Sequence, residues 1–152
     1  MHKPLEWGIL AGSVGPRVRL LRNVLTARSI AVSAPHGLPT GSLTVLALIA
    51  ANPGSSQSAL AKRAGLNKSA LVGIVDELEA KGLAARDRSA SDRRRNQVTV
   101  TPAGEAAMQT LFIAVTQEER PIRNALGAAD LEVLLGLLDR AIAALDGGAS
   151  QS

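Results

Sequence analysis

Ala64-Gly65-Leu66-Asn67-Lys68-Ser69-Ala70-Leu71-Val72-Gly73-Ile74-Val75-Asp76-Glu77-Leu78-Glu79-Ala80-Lys81-Gly82 reads as a helix with both ends written into it. Asn67 is a good N-cap, and Leu71, Ile74, Val75 and Leu78 recur on one face. Lys81-Gly82 then places a cation and a helix-stopping glycine at the C-terminus. Ahead of this helix, Gly65 supplies a left-handed stop for a shorter one, Gln57 to Arg63, which Ser55 or Ser56 can cap. Two helices joined by so tight a turn form a helix-turn-helix pattern. Ordinary helical hairpins share that pattern, so its flanks decide what it means.

Downstream the period changes. Leu83 to Arg88 and Gln97-Val98-Thr99-Val100-Thr101 read as two short strands, separated by the polar, arginine-rich segment Ser89 to Asn96. This predicts a β-hairpin with a long charged tip. Thr101-Pro102 caps a further helix, lined by Met108, Leu111, Phe112 and Val115. Pro121 should interrupt that helix near residues 117–120, because its ring clashes with the carbonyl four residues back, and Gly127 should end it. Upstream, Pro16 opens a helix carrying Val18, Leu21, Val24 and Leu25. Ala34 to Pro39 breaks the chain, and Thr40 can cap a second helix with Leu43, Leu46, Ala47, Leu48 and Ala50.

The order helix, helix, short helix, turn, helix, hairpin predicts a mainly α fold with a small β-hairpin wing. A winged helix-turn-helix lobe is expected over residues 40–101. The stripe Leu131, Leu134, Leu135, Leu138, Ile142 and Leu145 must bury itself, and so must Val18, Leu21 and Leu25. The lobe is too small to cover both faces, so they are expected to form a homodimer interface. The helical dimerisation layer then comes from both termini, residues 16–36 and 102–146, with flexible ends at 1–12 and 147–152.

Charge divides the chain unevenly. Residues 1–54 carry five Lys/Arg and one acid, residues 55–101 carry nine and five, and residues 102–152 carry three and seven. A basic middle beside an acidic C-terminal third suggests two faces, one of them meeting a polyanion. With only Trp7 and Phe112 as aromatics, base stacking cannot be the main mode of nucleic-acid binding. The absence of cysteine excludes disulfides, thiolate metal sites and thiol-based sensing of oxidants. His2 and His36 lack metal-ligand neighbours, no Gly-x-Ser-x-Gly occurs, and no phosphate loop is complete, so neither an enzyme nor a metal or other cofactor is expected. With no apolar run long enough to span a bilayer and no convincing signal peptide, the expected location is the cytoplasm.

A helix in this position can lie in the major groove of DNA and present its first turn to bases and phosphates. Asn67, Lys68 and Ser69 occupy that turn. Ser55 and Gln57, at the start of the preceding helix, can meet backbone phosphate through side chains and free N–H groups. Asn67 and Ser55 can equally do no more than cap their helices.

Asp92-Arg93-Arg94-Arg95-Asn96-Gln97-Val98-Thr99-Val100-Thr101-Pro102-Ala103-Gly104-Glu105 resembles the wing and following "LT-x-x-G" helix start of the MarR family of bacterial transcriptional regulators. Leu60-Ala61, Leu66-Asn67-Lys68-Ser69 and Val75 to Leu83 are similar to that family's recognition helix and its "L-E-x-K-G-L" exit. The resemblance runs from about Pro16 to Leu145. It implies a dimer with interlocked terminal helices, gripping a pseudo-palindromic site with two winged lobes. It also implies that Asp92 braces the wing, that Arg94 enters the minor groove, and that Arg93 and Arg95 contact phosphate. Val72 and Gly73 depart from the usual family residues. Val72 can pack on a thymine methyl, whereas Gly73 removes a contact.

The expectation is therefore a sequence-specific regulator of double-stranded DNA, acting as a repressor. The resemblance further implies release by a small aromatic ligand, in a cavity that Leu20, Leu21, Leu25, Met108, Phe112 and Val115 can border. Plain core is the alternative use of those six residues. The alternative for the whole chain is a winged-helix module for protein interaction or DNA architecture, without a specific operator.

Overall fold

The helix that the sequence marks most clearly forms where its signals stand. In the computed structural model, which describes residues 4–87 and 97–148, Asn67 Oδ1 accepts the Ala70 N–H at 2.8 Å and helix α4 runs Lys68–Ala80. Leu71, Ile74, Val75 and Leu78 are buried along one side. The preceding helix α3, Gln57–Ala64, is capped by Ser56 rather than Ser55, through a 3.1 Å bond from the Ala59 N–H. Gly65 takes the left-handed conformation at φ 68°, which reverses the chain into α4 without a Cβ penalty.

Helix α1 spans Val14–Ser33, and α2 spans Ser42–Ala51. Thr40 does not cap α2. The capping position falls on Gly41, at φ 91°, while Ser42 Oγ turns back and donates to the Pro39 carbonyl at 2.6 Å. The buried face of α2 is Ser42, Val45, Leu46 and Ile49, not the face of Leu43, Ala47 and Leu48. Nearly every position of this helix is apolar, so periodicity carries no phase, and packing against α3, α4 and the wing selects the face.

Strand β1, Ala84–Asp87, pairs antiparallel with β2, Gln97–Val100, in the register Ala84↔Val100 and Arg86↔Val98. The expected wing tip, with Asp92, Arg93, Arg94 and Arg95, lies outside the described residues. Val98 and Ala84 join Val45, Leu46, Leu60, Leu71, Leu78 and Leu111 in one core beneath the three helices. Helix α5, Pro102–Glu118, starts from a double use of Thr101. Its Oγ1 accepts the Gly104 N–H at 3.0 Å and donates to the Gly82 carbonyl at 2.6 Å.

The chain divides into two compact units, residues 1–115 and 116–152. In the second, α6 runs Arg120–Gly148 with Pro121 in its first turn and a break at Gly127, where φ is 72° and ψ 173°. Both punctuation marks act as expected. The helix continues through Gly148, so the end expected to be flexible from residue 147 is helical for two residues more. At the other end, Gly8–Leu10 form a 3₁₀ turn. Arg17 ties this turn to α1, donating to the Leu10 and Ser13 carbonyls and lying 4.8 Å over the Trp7 ring. The segment expected to be a flexible arm is thus partly folded back.

Candidate nucleic-acid interface

The first turn of α4 combines exposure with unsatisfied donors. Asn67 spends its side-chain oxygen on the cap, while Lys68 and Ser69 project into solvent. The first N–H groups of any helix lack intrahelical acceptors, so this end offers donors and partial positive charge to an anion. Val72, half-buried one turn on, borders the same surface, and Gly73 beside it carries nothing. Ser55 is half-buried just ahead of the true cap, Ser56. Gln57 is turned inward: its Oε1 is buried and makes no hydrogen bond.

The opposite end of α4 is clamped to the wing. Arg86, in β1, places Nη1 2.6 Å from Asp76 Oδ1 and donates to Glu79 Oε2 at 2.7 Å, with its side chain only 10% exposed. Burial by itself disfavours the charged guanidinium, but the hydrogen bonds and opposite charges of Asp76 and Glu79 outweigh it and raise the arginine pKa. Arg86 therefore ties the recognition helix to the hairpin root. Sequence reading missed this triad. A signal existed in the strand alternation, which sets Arg86 on the inward side with Ala84, and in the i, i+3 spacing of Asp76 and Glu79 on the preceding helix.

Removing Arg86 should loosen the hairpin root. Asp76 is 59% exposed, so water screens part of the attraction. We expect Arg86→Leu to cost about 1–2 kcal/mol in urea unfolding and to weaken DNA binding further than that loss explains. Stability and affinity both equal to the parent's would show the clamp to be idle.

The residues expected at a dimer interface fall in two groups. On α1, Val18 and Leu21 are exposed and Leu25 is half-buried; on α6, Leu131, Leu134 and Leu138 are half-buried, whereas Leu135, Ile142 and Leu145 are exposed at 55%, 48% and 81%. Within residues 1–115 an apolar groove of about 460 Å³ lies between α2 and α5. Met108 and Phe112 line it as expected, but its other wall is Leu43, Thr44, Ala47 and Leu48 rather than Leu20, Leu21, Leu25 and Val115. The phase of α2 explains the change, since burying Val45 and Ile49 leaves Leu43 and Leu48 facing the groove. Among the described residues no group of three or more His, Asp or Glu stands ready to hold a metal, and no helix is long and apolar enough to cross a membrane.

Three helices ending in an exposed recognition turn, with an antiparallel hairpin hydrogen-bonded to the exit of the last, define a winged helix-turn-helix protein. The sequence profile of the MarR family matches residues 36–95, which span α2, α3, the turn, α4 and the first wing strand. A Thauera aromatica protein described as a transcriptional regulatory protein for the hcr operon is 38% identical over 139 residues, covering 90% of this chain and 82% of its own. The chain belongs to the MarR family of transcriptional regulators. Among solved structures, the transcriptional repressor CouR bound to a 23-mer DNA duplex matches with a TM-score of 0.75 at 29% identity, over 91% of this chain and 99% of its own. CouR from Rhodococcus jostii RHA1 bound to p-coumaroyl-CoA matches with a TM-score of 0.74 at 25% identity, over 88% and 94% of the two chains.

Proposed function

We propose that this regulator is a homodimeric repressor that grips a pseudo-palindromic operator in the cytoplasm, turns over no substrate, and leaves DNA when a small aromatic ligand binds. The observation that carries the DNA-binding reading is the exposed turn at Lys68 and Ser69. It lies on a helix whose other face is sealed in the core and whose far end is bolted to the hairpin by Arg86. Such a helix can enter the major groove as a rigid probe.

In this reading residues 40–101 form the reading lobe, while 16–36 and 102–146 supply the dimer contacts. Lys68 and Ser69 meet phosphate and base edges, Val72 packs on a thymine methyl, and Asn67 holds the turn. Ser55 contacts phosphate beside them. Gln57 does so through its amide nitrogen, its oxygen being turned inward. Arg94 enters the minor groove, Arg93 and Arg95 neutralise phosphates, and Asp92 braces the tip. Two-fold symmetry sets the half-sites about one turn of DNA apart.

The groove between α2 and α5 supports the ligand reading. Its size suits a small molecule, its walls are almost wholly apolar, and the exposed Phe112 ring offers a stacking surface.

Gel-shift titration across salt concentrations tests the DNA reading. Each neutralised phosphate contributes a log–log slope of roughly −0.9, so a dimer making six contacts should show a slope near −5. Affinity that ignores salt, or equal affinity for operator and competitor DNA, would favour an architectural role instead. The wing arginines should differ in kind. Arg94→Ala should cost about 1–3 kcal/mol and relax selectivity for A·T-rich flanks, whereas Arg93→Ala should weaken all sequences alike and lower the slope by about two units, one contact being lost from each subunit. Indistinguishable mutants would overturn these roles.

A further inference from the structure

Helix α4 has an outward line as regular as its buried one. Ser69, Gly73, Asp76 and Ala80 recur at steps of four, three and four residues, and all are exposed on the side away from Leu71, Ile74, Val75 and Leu78. Gly73 and Ala80 bring no polar side chain to that line, and Ser69 belongs to the first turn. Asp76 is its one charge. A carboxylate on the face that meets DNA is electrostatically out of place, because the phosphates repel it. Glu77, the neighbouring exposed acid, lies off the line.

Arg86 resolves the conflict. Its Nη1 lies 2.6 Å from Asp76 Oδ1 and 2.7 Å from Glu79 Oε2, yet the two acids differ in setting: Glu79 is 27% exposed and Asp76 59%. Glu79 is sunk at the root of the hairpin, where it can hold the arginine by itself. Asp76 is held from behind and still open in front. An ionised carboxylate accepts at about four lone-pair sites, and the bond to Arg86 fills one of them. The group is therefore oriented, its charge is offset, and acceptor capacity remains on its outer side.

Gly73 supplies the approach. Nothing stands within 4 Å of its Cβ position, so the helix surface between Ser69 and Asp76 is bare. A long side chain there would hold the backbone off the bases, beyond the reach of an aspartate. The rise from Ser69 to Asp76 is about 10 Å, close to three base-pair steps. The carboxylate thus meets a different base pair from the one beneath the first turn.

We infer that Asp76 reads a cytosine in each half-site, accepting a hydrogen bond from its 4-amino group in the major groove. Guanine presents two acceptors there and thymine an acceptor and a methyl group, neither of which suits a carboxylate. Adenine sets its amino group beside the N7 lone pair, whereas cytosine offers a donor alone. The inference rests on α4 lying in the major groove and adds a base-specific contact from its third turn.

Selection by the full-length protein from duplexes randomised over about two turns of DNA tests it. The parent should require C·G at one position of each half-site. Asp76→Asn keeps an oxygen for Arg86 but gains an amide donor, so preference there should move to A·T, with the other positions unchanged. N4-methylcytosine, which pairs normally but blocks the groove-facing hydrogen, should weaken parent binding by about tenfold or more when placed at that position in both half-sites. This second arm uses the parent protein and decides even where the variant does not fold. A selected site that Asp76→Asn leaves unchanged, a variant that loses affinity equally for all sequences, or full parent affinity for the methylated site would overturn the inference. Those outcomes leave groove binding intact, whereas a parent that selects no sequence at all removes both readings.

Discussion

Gly104→Ala should unfold the winged lobe well before any other single-methyl change in the chain. A Cβ at this position would collide with the Leu83 carbonyl oxygen and lie 2.8 Å from Val100 Cγ1. The obstruction is backbone and cannot swing aside. That same carbonyl accepts the Thr101 N–H at 3.1 Å, and Thr101 in turn caps α5 and reaches the Gly82 carbonyl. Relieving the clash therefore means withdrawing α5 from the exit of α4 and breaking the bonds that join them. Overpacking together with lost hydrogen bonds should cost about 3 kcal/mol or more, lowering Tm by roughly 6–12 °C. Gly73→Ala is the control. Nothing lies within 4 Å of its Cβ position and it sits inside α4, so the same methyl should stabilise by about 0.5–1 kcal/mol. Thermal unfolding of the two variants checks both signs, and a Gly104→Ala protein as stable as the parent would refute the close approach.

The second large effect concerns assembly. Leu135, Ile142 and Leu145 are exposed apolar residues on one helix of a single chain, so changing all three to lysine should leave the folded chain's core intact. In the proposed dimer each would be buried, worth roughly 1.5–3 kcal/mol per side chain, and three buried lysines per subunit would repel one another. We expect a monomer by sedimentation equilibrium. Operator affinity should fall by about two orders of magnitude or more, because the second lobe no longer binds as part of the same molecule. A dimeric triple variant, or a monomer with full operator affinity, would remove α6 from the interface and the dimer from the mechanism.

These predictions draw on features that differ in how visible they are along the chain. Asn67, Gly65, Pro121 and Gly127 act through their immediate neighbours: a side-chain cap, a left-handed turn, a missing N–H, a break. The stripe Leu71, Ile74, Val75, Leu78 is likewise regular enough to define its own buried face. Such local constraints placed the helix-turn-helix, both wing strands and the break in α6 without reference to distant residues. The choice between Ser55 and Ser56 as cap was finer than this, because either hydroxyl has the right chemistry.

Tertiary structure decided what depends on residues far apart in sequence. The all-apolar α2 has no phase of its own, so its neighbours chose Val45, Leu46 and Ile49 for the core and left Leu43, Ala47 and Leu48 for the groove. Arg86 became a clamp only when strand pairing brought it under Asp76 and Glu79. Lys81 Nζ stands 3.6 Å from where a Cβ on Gly37 would lie because the end of α4 folds against the turn after α1, 44 positions earlier in the chain. Gly104 appears along the chain as one glycine in a helix start, and only the passage of the Leu83 carbonyl over it makes the missing side chain a requirement. Caps and periodicity are local, whereas a clash, an ion pair and a shared hollow each need two segments whose meeting the whole fold determines.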